Sequence, residues 1–171
     1  PFLEILNLPN PNASCELRDS ASVTPQAFTL MNSNVMTDRS IAFALRIEKE
    51  RDQNHGNLFP DRNDTHLVRR AVQISYGRIP SPAEFTSLLA YLKEMQAYHN
   101  QHKPEQVEYP TQVVRSLVEE LTGKPFEFIE KLNVYEDYVP DAKPWTVGSH
   151  TRALADVCLL LLNSNEFLYV Y

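Results

Sequence analysis

The densest run of residues able to do chemistry lies between positions 135 and 145. Tyr135, Glu136, Asp137, Tyr138, Asp141 and Trp145 set acids among aromatic rings. Glycosidic cleavage uses two carboxylates flanking the scissile bond, and aromatic faces stack on sugar rings. These six residues are therefore the candidate ligand-binding set, for a saccharide above all. The plainer reading is that the aromatics pin a loop onto the fold while the acids face water.

Other pairs are sparser. His99 and His102 have the i, i+3 spacing that can seat a metal at a helix end. No carboxylate or cysteine accompanies them, and His99 shares the apolar side of its segment with Leu88, Leu92 and Met95. A packed histidine beside a surface histidine is the expectation, with no metal. Arg152 and Asp156 stand i, i+4 within an apolar run, the spacing of a structural ion pair. Ser14, Ser33 and Ser164 lack the strand–turn–helix context of a nucleophile elbow. Asp61, Asn63 and Asp64 begin like a calcium loop, but its alternation and terminal glutamate do not follow. No catalytic residue is assigned.

Two cysteines occur, Cys15 and Cys158, and no CxxC or CxxCH. Covalent haem and a zinc knuckle are therefore excluded from this segment. A single Cys15–Cys158 disulfide is one reading, and two unpaired buried thiols are the plainer one.

Composition bounds the rest. The chain has 171 residues, 43% hydrophobic and 22% charged, enough for an apolar core without metal or disulfide. The net charge of −6 argues against nucleic acid, whose phosphates need surplus Lys and Arg. Arg62, Arg69, Arg70 and Arg78 read as the solvated face of a helix. Four glycines leave no glycine-rich phosphate loop. The longest apolar run, 157–162, is far short of the roughly 20 residues that span a bilayer. The chain opens without an initiator Met, which reads as a fragment of a longer product.

The elements that must position these groups follow from spacing. Residues 1–23 hold prolines and asparagines without a sustained period and read as an extended arm, gripped by Phe2, Leu3, Ile5, Leu6 and Leu8. Thr24-Pro25 caps a short helix to about Met31, and Asn32-Ser33-Asn34 interrupts it. A second helix is expected over 35–52, with Met36, Ser40, Phe43 and Ile47 on one face. After a polar loop at 53–63, a third runs to Gly77 with Leu67, Val68, Ala71, Ile74 and Ser75 as its stripe. Ser81, Pro82 and Glu84 form a capping box. It opens a helix to about Asn100, buried through Phe85, Leu88, Leu92 and Met95. Val113, Val114, Leu117, Val118 and Leu121 have helical spacing, so a helix is expected over 111–122, ended by Gly123 and Pro125. Residues 126–149 read as a long aromatic and acidic loop with a strand-like piece at 126–129. Residues 150–162 are apolar on nearly every side, the mark of a central helix, with a tail to 171.

The expected fold is all-α. It is a single domain, 1–171, built as an irregular bundle of about five to six helices. The arm spans 1–23, the helical region 24–125, the loop 126–149, and the central helix and tail 150–171. One internal echo stands out. Residues 30–34 and 161–165 both run from an apolar helix into Asn-Ser-Asn, as two similar helix stops would.

Three stretches carry a family resemblance. Residues 14–18 lead into 24–33. Residues 71–82, with Glu84, are similar to an "A-x-x-x-x-x-G-R-x-P-x-x-x-E" passage. Residues 138–141 precede 151–158 and 162–170. Together they resemble the C-terminal domain of unknown function found in large planctomycete proteins that often carry cytochrome-c-like domains upstream. The resemblance implies an exported, extracytoplasmic, multi-domain protein with haem in upstream domains and no cofactor in this segment. It implies that Tyr171 lies near the natural C-terminus. It carries over no catalytic residue.

The function expected is a non-catalytic helical module that packs against or positions upstream cytochrome-c-like or carbohydrate-active domains. Such a module should expose apolar surface when isolated. One alternative is part of a hydrolytic or carbohydrate-binding site using 135–150, which should show convergent carboxylates. Another is a subunit of an extracellular assembly or homo-oligomer, held by the arm.

Overall fold

The computed structural model describes residues 24–53, 64–132 and 139–168. They fall into two compact units, one drawn from 1–103 and 142–171, the other Pro104–Asp141.

The first unit is helical. Helix α1 spans Thr24–Asn32, α2 Asn34–Gln53, α3 Asp64–Tyr76 and α4 Pro82–Gln101. A 3₁₀ turn at Pro144–Thr146 leads into α5, Ser149–Leu162, and a short α6, Asn165–Leu168. Helix α5 is the axle: α2, α3, α4 and α6 all pack on it. Its Ala153, Leu154, Ala155, Val157, Cys158 and Leu161 are buried, while Leu160 is exposed, so one flank of the axle reaches the surface. Ile41, Ala44 and Ile47 of α2, Leu67, Val68, Ala71 and Val72 of α3, and Leu88 and Leu92 of α4 close the core. Phe85 and Met95 flank it, half-buried. The face expected for α2 is shifted by part of a turn: Ile41 and Ala44 are buried, whereas Met36 is only half-buried.

The punctuation is as the local chemistry dictates. Ser81 Oγ accepts from the Glu84 N–H at 3.3 Å, and Glu84 Oε2 accepts from the Ser81 N–H at 3.1 Å. Pro82 sits where no donor is needed. Gly77 ends α3 at φ +69°, a left-handed conformation that side chains with a Cβ resist. The Asn-Ser-Asn echo is two copies of one helix stop. Asn32 Nδ2 donates back to the Phe28 carbonyl, and Asn163 Nδ2 to that of Leu159, each at 2.8 Å. Ser33 Oγ then accepts from the Val35 N–H and Ser164 Oγ from the Phe167 N–H, each at 3.2 Å.

The second unit corrects one expectation. Residues 111–122 are not a helix. Strand β1, Gln112–Val118, pairs antiparallel with β2, Pro125–Lys131. Val113, Val114 and Val118 are β-branched and lose rotamer freedom in a helix. An apolar, aromatic segment close behind them supplies a partner that periodicity within one segment does not reveal. Gly123, at φ +64°, forms the connecting turn rather than a helix end. The strand-like piece expected at 126–129 is the heart of β2.

Candidate functional site

Three polar clusters tie the helical unit together, two of them on α5. The first lies at the N-terminus of α5. His150 is held between two carboxylates, Nδ1 3.1 Å from Glu48 Oε1 on α2 and Nε2 3.0 Å from Asp64 Oδ1 on α3. Thr151 Oγ1 also donates to the Glu48 carboxylate, at 3.1 Å to Oε2. A cation at a helix N-terminus opposes the helix dipole, whereas a carboxylate there is favoured. The hydrogen bond to Glu48, followed by that to Asp64, outweighs burial and raises the His150 pKa to about 9. His150 is therefore an imidazolium at neutral pH, cross-linking α2, α3 and α5.

The second cluster is one turn on. The expected direct pair between Arg152 and Asp156 is replaced by a joint through His99 of α4. Asp156 Oδ2 meets His99 Nε2 at 2.7 Å. Arg152 Nη2 donates to the His99 carbonyl at 3.0 Å, and Nη1 to the carbonyls of Pro144 and Val147. Burial pushes the Asp156 carboxyl above its ordinary range, against the opposing pull of His99 and of the Arg152 charge. Arg152 thus anchors the 3₁₀ turn and the end of α4 to α5, and its buried Nε has no hydrogen-bond partner. His102 does not join His99. It stacks on Tyr98, with ring centroids 4.2 Å apart, and its Nδ1 lies 3.0 Å from the Tyr98 carbonyl oxygen.

The third cluster is nearer the surface. Arg78 grips Glu84 with Nη1 and Nη2 at 2.8 and 3.0 Å, and Glu166 of α6 with Nε and Nη2 at 2.6 and 2.7 Å. Its hydrogen bonds, and then its charge, hold both carboxyls below their usual range. A fourth contact needs two distant segments: Lys143 Nζ donates to the buried Asp38 carboxylate at 2.5 Å. Each of these groups is held by a partner across helices, which is the pattern of a staple rather than of a poised acid or base.

Of the six residues singled out for a saccharide, Tyr135, Glu136, Asp137 and Tyr138 lie outside the described residues. Asp141 ends the second unit, and Trp145 sits half-buried in the 3₁₀ turn of the first. Cys158 is a free thiol, fully buried, and burial pushes its pKa well above the ordinary thiol value. Cys15 lies outside the described residues. Among the described residues, no three His, Cys, Asp or Glu side chains are arranged to hold a metal, and no helix is long and apolar enough to cross a membrane.

A shallow groove of about 390 Å³ runs between α2, α3, the end of α5 and α6, floored by Phe43, Ile74, Leu162 and Phe167 and edged by Arg39 and Arg46. It is a surface furrow rather than a reaction chamber. Its Arg46 is already paired with Glu50 at 2.9 Å.

The β1–β2 hairpin is different in kind. Its register places Val114 beside Ile129 and Val118 beside Pro125 on one face. On the other lie Leu117 beside Phe126, and Arg115 beside Phe128, with Arg115 bonded to Glu130. Side chains on both faces are open. Val114, Val118 and Ile129 are 66, 64 and 63% exposed, and Leu117, Phe126 and Phe128 are exposed on the opposite side. Antiparallel sheets ordinarily bury one face. A two-stranded hairpin alone in water is marginally stable. Apolar faces on both sides are therefore the signature of a contact element. The sequence signal lies in the valines of 111–122, which helical spacing turns inward, and in the phenylalanines of the strand-like piece at 126–129.

A family model described as PSD1, a protein of unknown function (DUF1553), matches residues 1–92, which hold α1, α2, α3 and half of α4. No curated protein and no solved structure matches the chain.

Proposed function

The chain belongs to the PSD1 family of proteins of unknown function, and from that premise we propose that it is a non-catalytic contact module. In this reading it is the C-terminal domain of an exported, planctomycete-type multi-domain protein. It packs against, and so positions, cytochrome-c-like or carbohydrate-active domains that precede it. The helical unit is the rigid base and the β1–β2 hairpin is the part that docks. Its setting is extracytoplasmic, and any haem belongs to the preceding domains.

The observation that carries this is the hairpin with apolar side chains open on both faces. The polar clusters support it from the other side, because their charged groups are committed to holding helices together. The exported setting and the cytochrome-c-like neighbours rest on the resemblance of residues 14–18 with 24–33, of 71–82 with Glu84, and of 138–141 with 151–158 and 162–170, and on nothing else.

The test is association in trans. The preceding part of the same polypeptide is mixed with this chain, wild type or carrying Leu117→Glu and Phe126→Glu. Wild type is expected to bind and the double variant to fail, with the helical signal of both unchanged. Equal binding by both, or binding by neither, would remove the hairpin from this role.

A further inference from the structure

The hairpin has edges as well as faces, and one edge is matched to itself. Leu132 donates its N–H to the Thr111 carbonyl at 2.9 Å, and Glu119 donates to Lys124 at 3.0 Å. With the register of the strands, these bonds fix the phase of the ladder. Phe126, Phe128, Glu130 and Leu132 turn their backbone groups toward β1. Glu127, Ile129 and Lys131 therefore turn theirs outward. Pro125, the next outward position, has no N–H to leave unpaired, which suits an edge. Among the described residues no further strand covers this edge.

We infer that the outer edge of β2 binds a second copy of this chain. Two β2 strands laid antiparallel about a two-fold axis through Ile129 place Ile129 opposite its own copy. They place Glu127 of each copy opposite Lys131 of the other. All three outward positions then fall in hydrogen-bonded pairs, each of which can exchange both N–H···O bonds. The charged pairs face each other across the new strand boundary, where opposite charges stabilise and like charges destabilise. On the same face Val114, Ile129 and their copies form one apolar row across four strands. On the other face Phe126 meets Leu132. Edge strands usually carry charges that repel a neighbour; here the signs alternate so that the two-fold converts them into partners. The outer edge of β1 offers no such match. Its one charge, Arg115, faces the opposite side of the sheet from the outward-bonding Gln112, Val114, Ser116 and Val118.

The dimer edge is independent of the contact proposed for the hairpin faces. A monomeric chain would leave that contact standing, and a chain that binds no preceding domain would leave the dimer standing.

Sedimentation equilibrium of the whole chain tests it. Wild type should self-associate. Glu127→Lys replaces two attractions with two repulsions and should weaken the dimer roughly ten- to hundredfold. The double variant E127K/K131E should restore it, which a merely misfolded hairpin could not do. Ile129→Pro removes the central outward donor without touching the β1–β2 ladder and should leave the chain monomeric. The inference is overturned by a wild-type chain that stays monomeric to millimolar concentration. A dimer indifferent to E127K, or one that the double variant fails to recover, overturns it equally.

Discussion

The imidazolium of His150 should make the helical unit lose stability in alkaline solution. Its folded pKa, about 9, lies above the ordinary histidine value of 6.5. A raised base stabilises the fold fully below 6.5, and the contribution drains away as pH rises through 9. The gap is worth ~3 kcal/mol at full strength. His150 keeps 31% of its side chain in water, so screening reduces this to roughly 1–2 kcal/mol. Burial raises the Cys158 thiol, away from this pH range. Urea unfolding followed by circular dichroism, at pH about 6 and about 10, should show the midpoint falling by about 0.5–1 M. His150→Gln keeps a hydrogen-bonding side chain without the charge, and should flatten the profile while lowering stability at the acid end. A wild-type midpoint that does not fall, or a fall that His150→Gln shares in full, would refute the clamp.

Three further outcomes follow from the same core. Leu154→Ala, at the buried centre of α5, should cost about 3 kcal/mol or more in chemical denaturation; a loss typical of surface positions would mean that α5 is not the axle. Arg152→Met removes donors to three carbonyls on two other segments and should cost about 2 kcal/mol. Hydrogen exchange should then quicken at the end of α4 and around 144–147, and unchanged exchange there would contradict the anchoring role. The Cys158 thiol, buried and pushed to a high pKa, should resist a thiol-specific reagent in the folded chain and react only on unfolding. In a Cys15→Ser background, prompt modification under native conditions would overturn that placement.

The parts of the fold legible in the sequence are those set by short-range chemistry. Ser81, Pro82 and Glu84 announce α4 because a capping box is complete within four residues. Gly77 announces the end of α3 because only its backbone adopts the required φ cheaply. The segment 150–162 announces a central helix because it is apolar on nearly every side, with only Arg152 and Asp156 as a polar strip. Val113, Val114, Leu117 and Val118, with Leu121 beyond them, satisfy helical spacing, and the first four satisfy a strand open on both faces equally well. Only the complementary segment at 125–131 decides between the two, and that is a non-local fact. The His150 clamp was invisible for the same reason. Glu48 and Asp64 come from 102 and 86 residues away, and nothing near His150 names them. The i, i+4 spacing of Arg152 and Asp156 placed both on one face but not in contact, because His99 of α4 enters between them.

The docking proposed for the hairpin needs its two strands covered by preceding domains. Amide hydrogen exchange over residues 112–131 reads it most directly, compared between this chain alone, in dilute solution, and the intact polypeptide that contains it. Exchange should be slow across both strands in the intact polypeptide and fast in the isolated chain, with α5 protected equally in both. The same rates for the hairpin in both forms would contradict it.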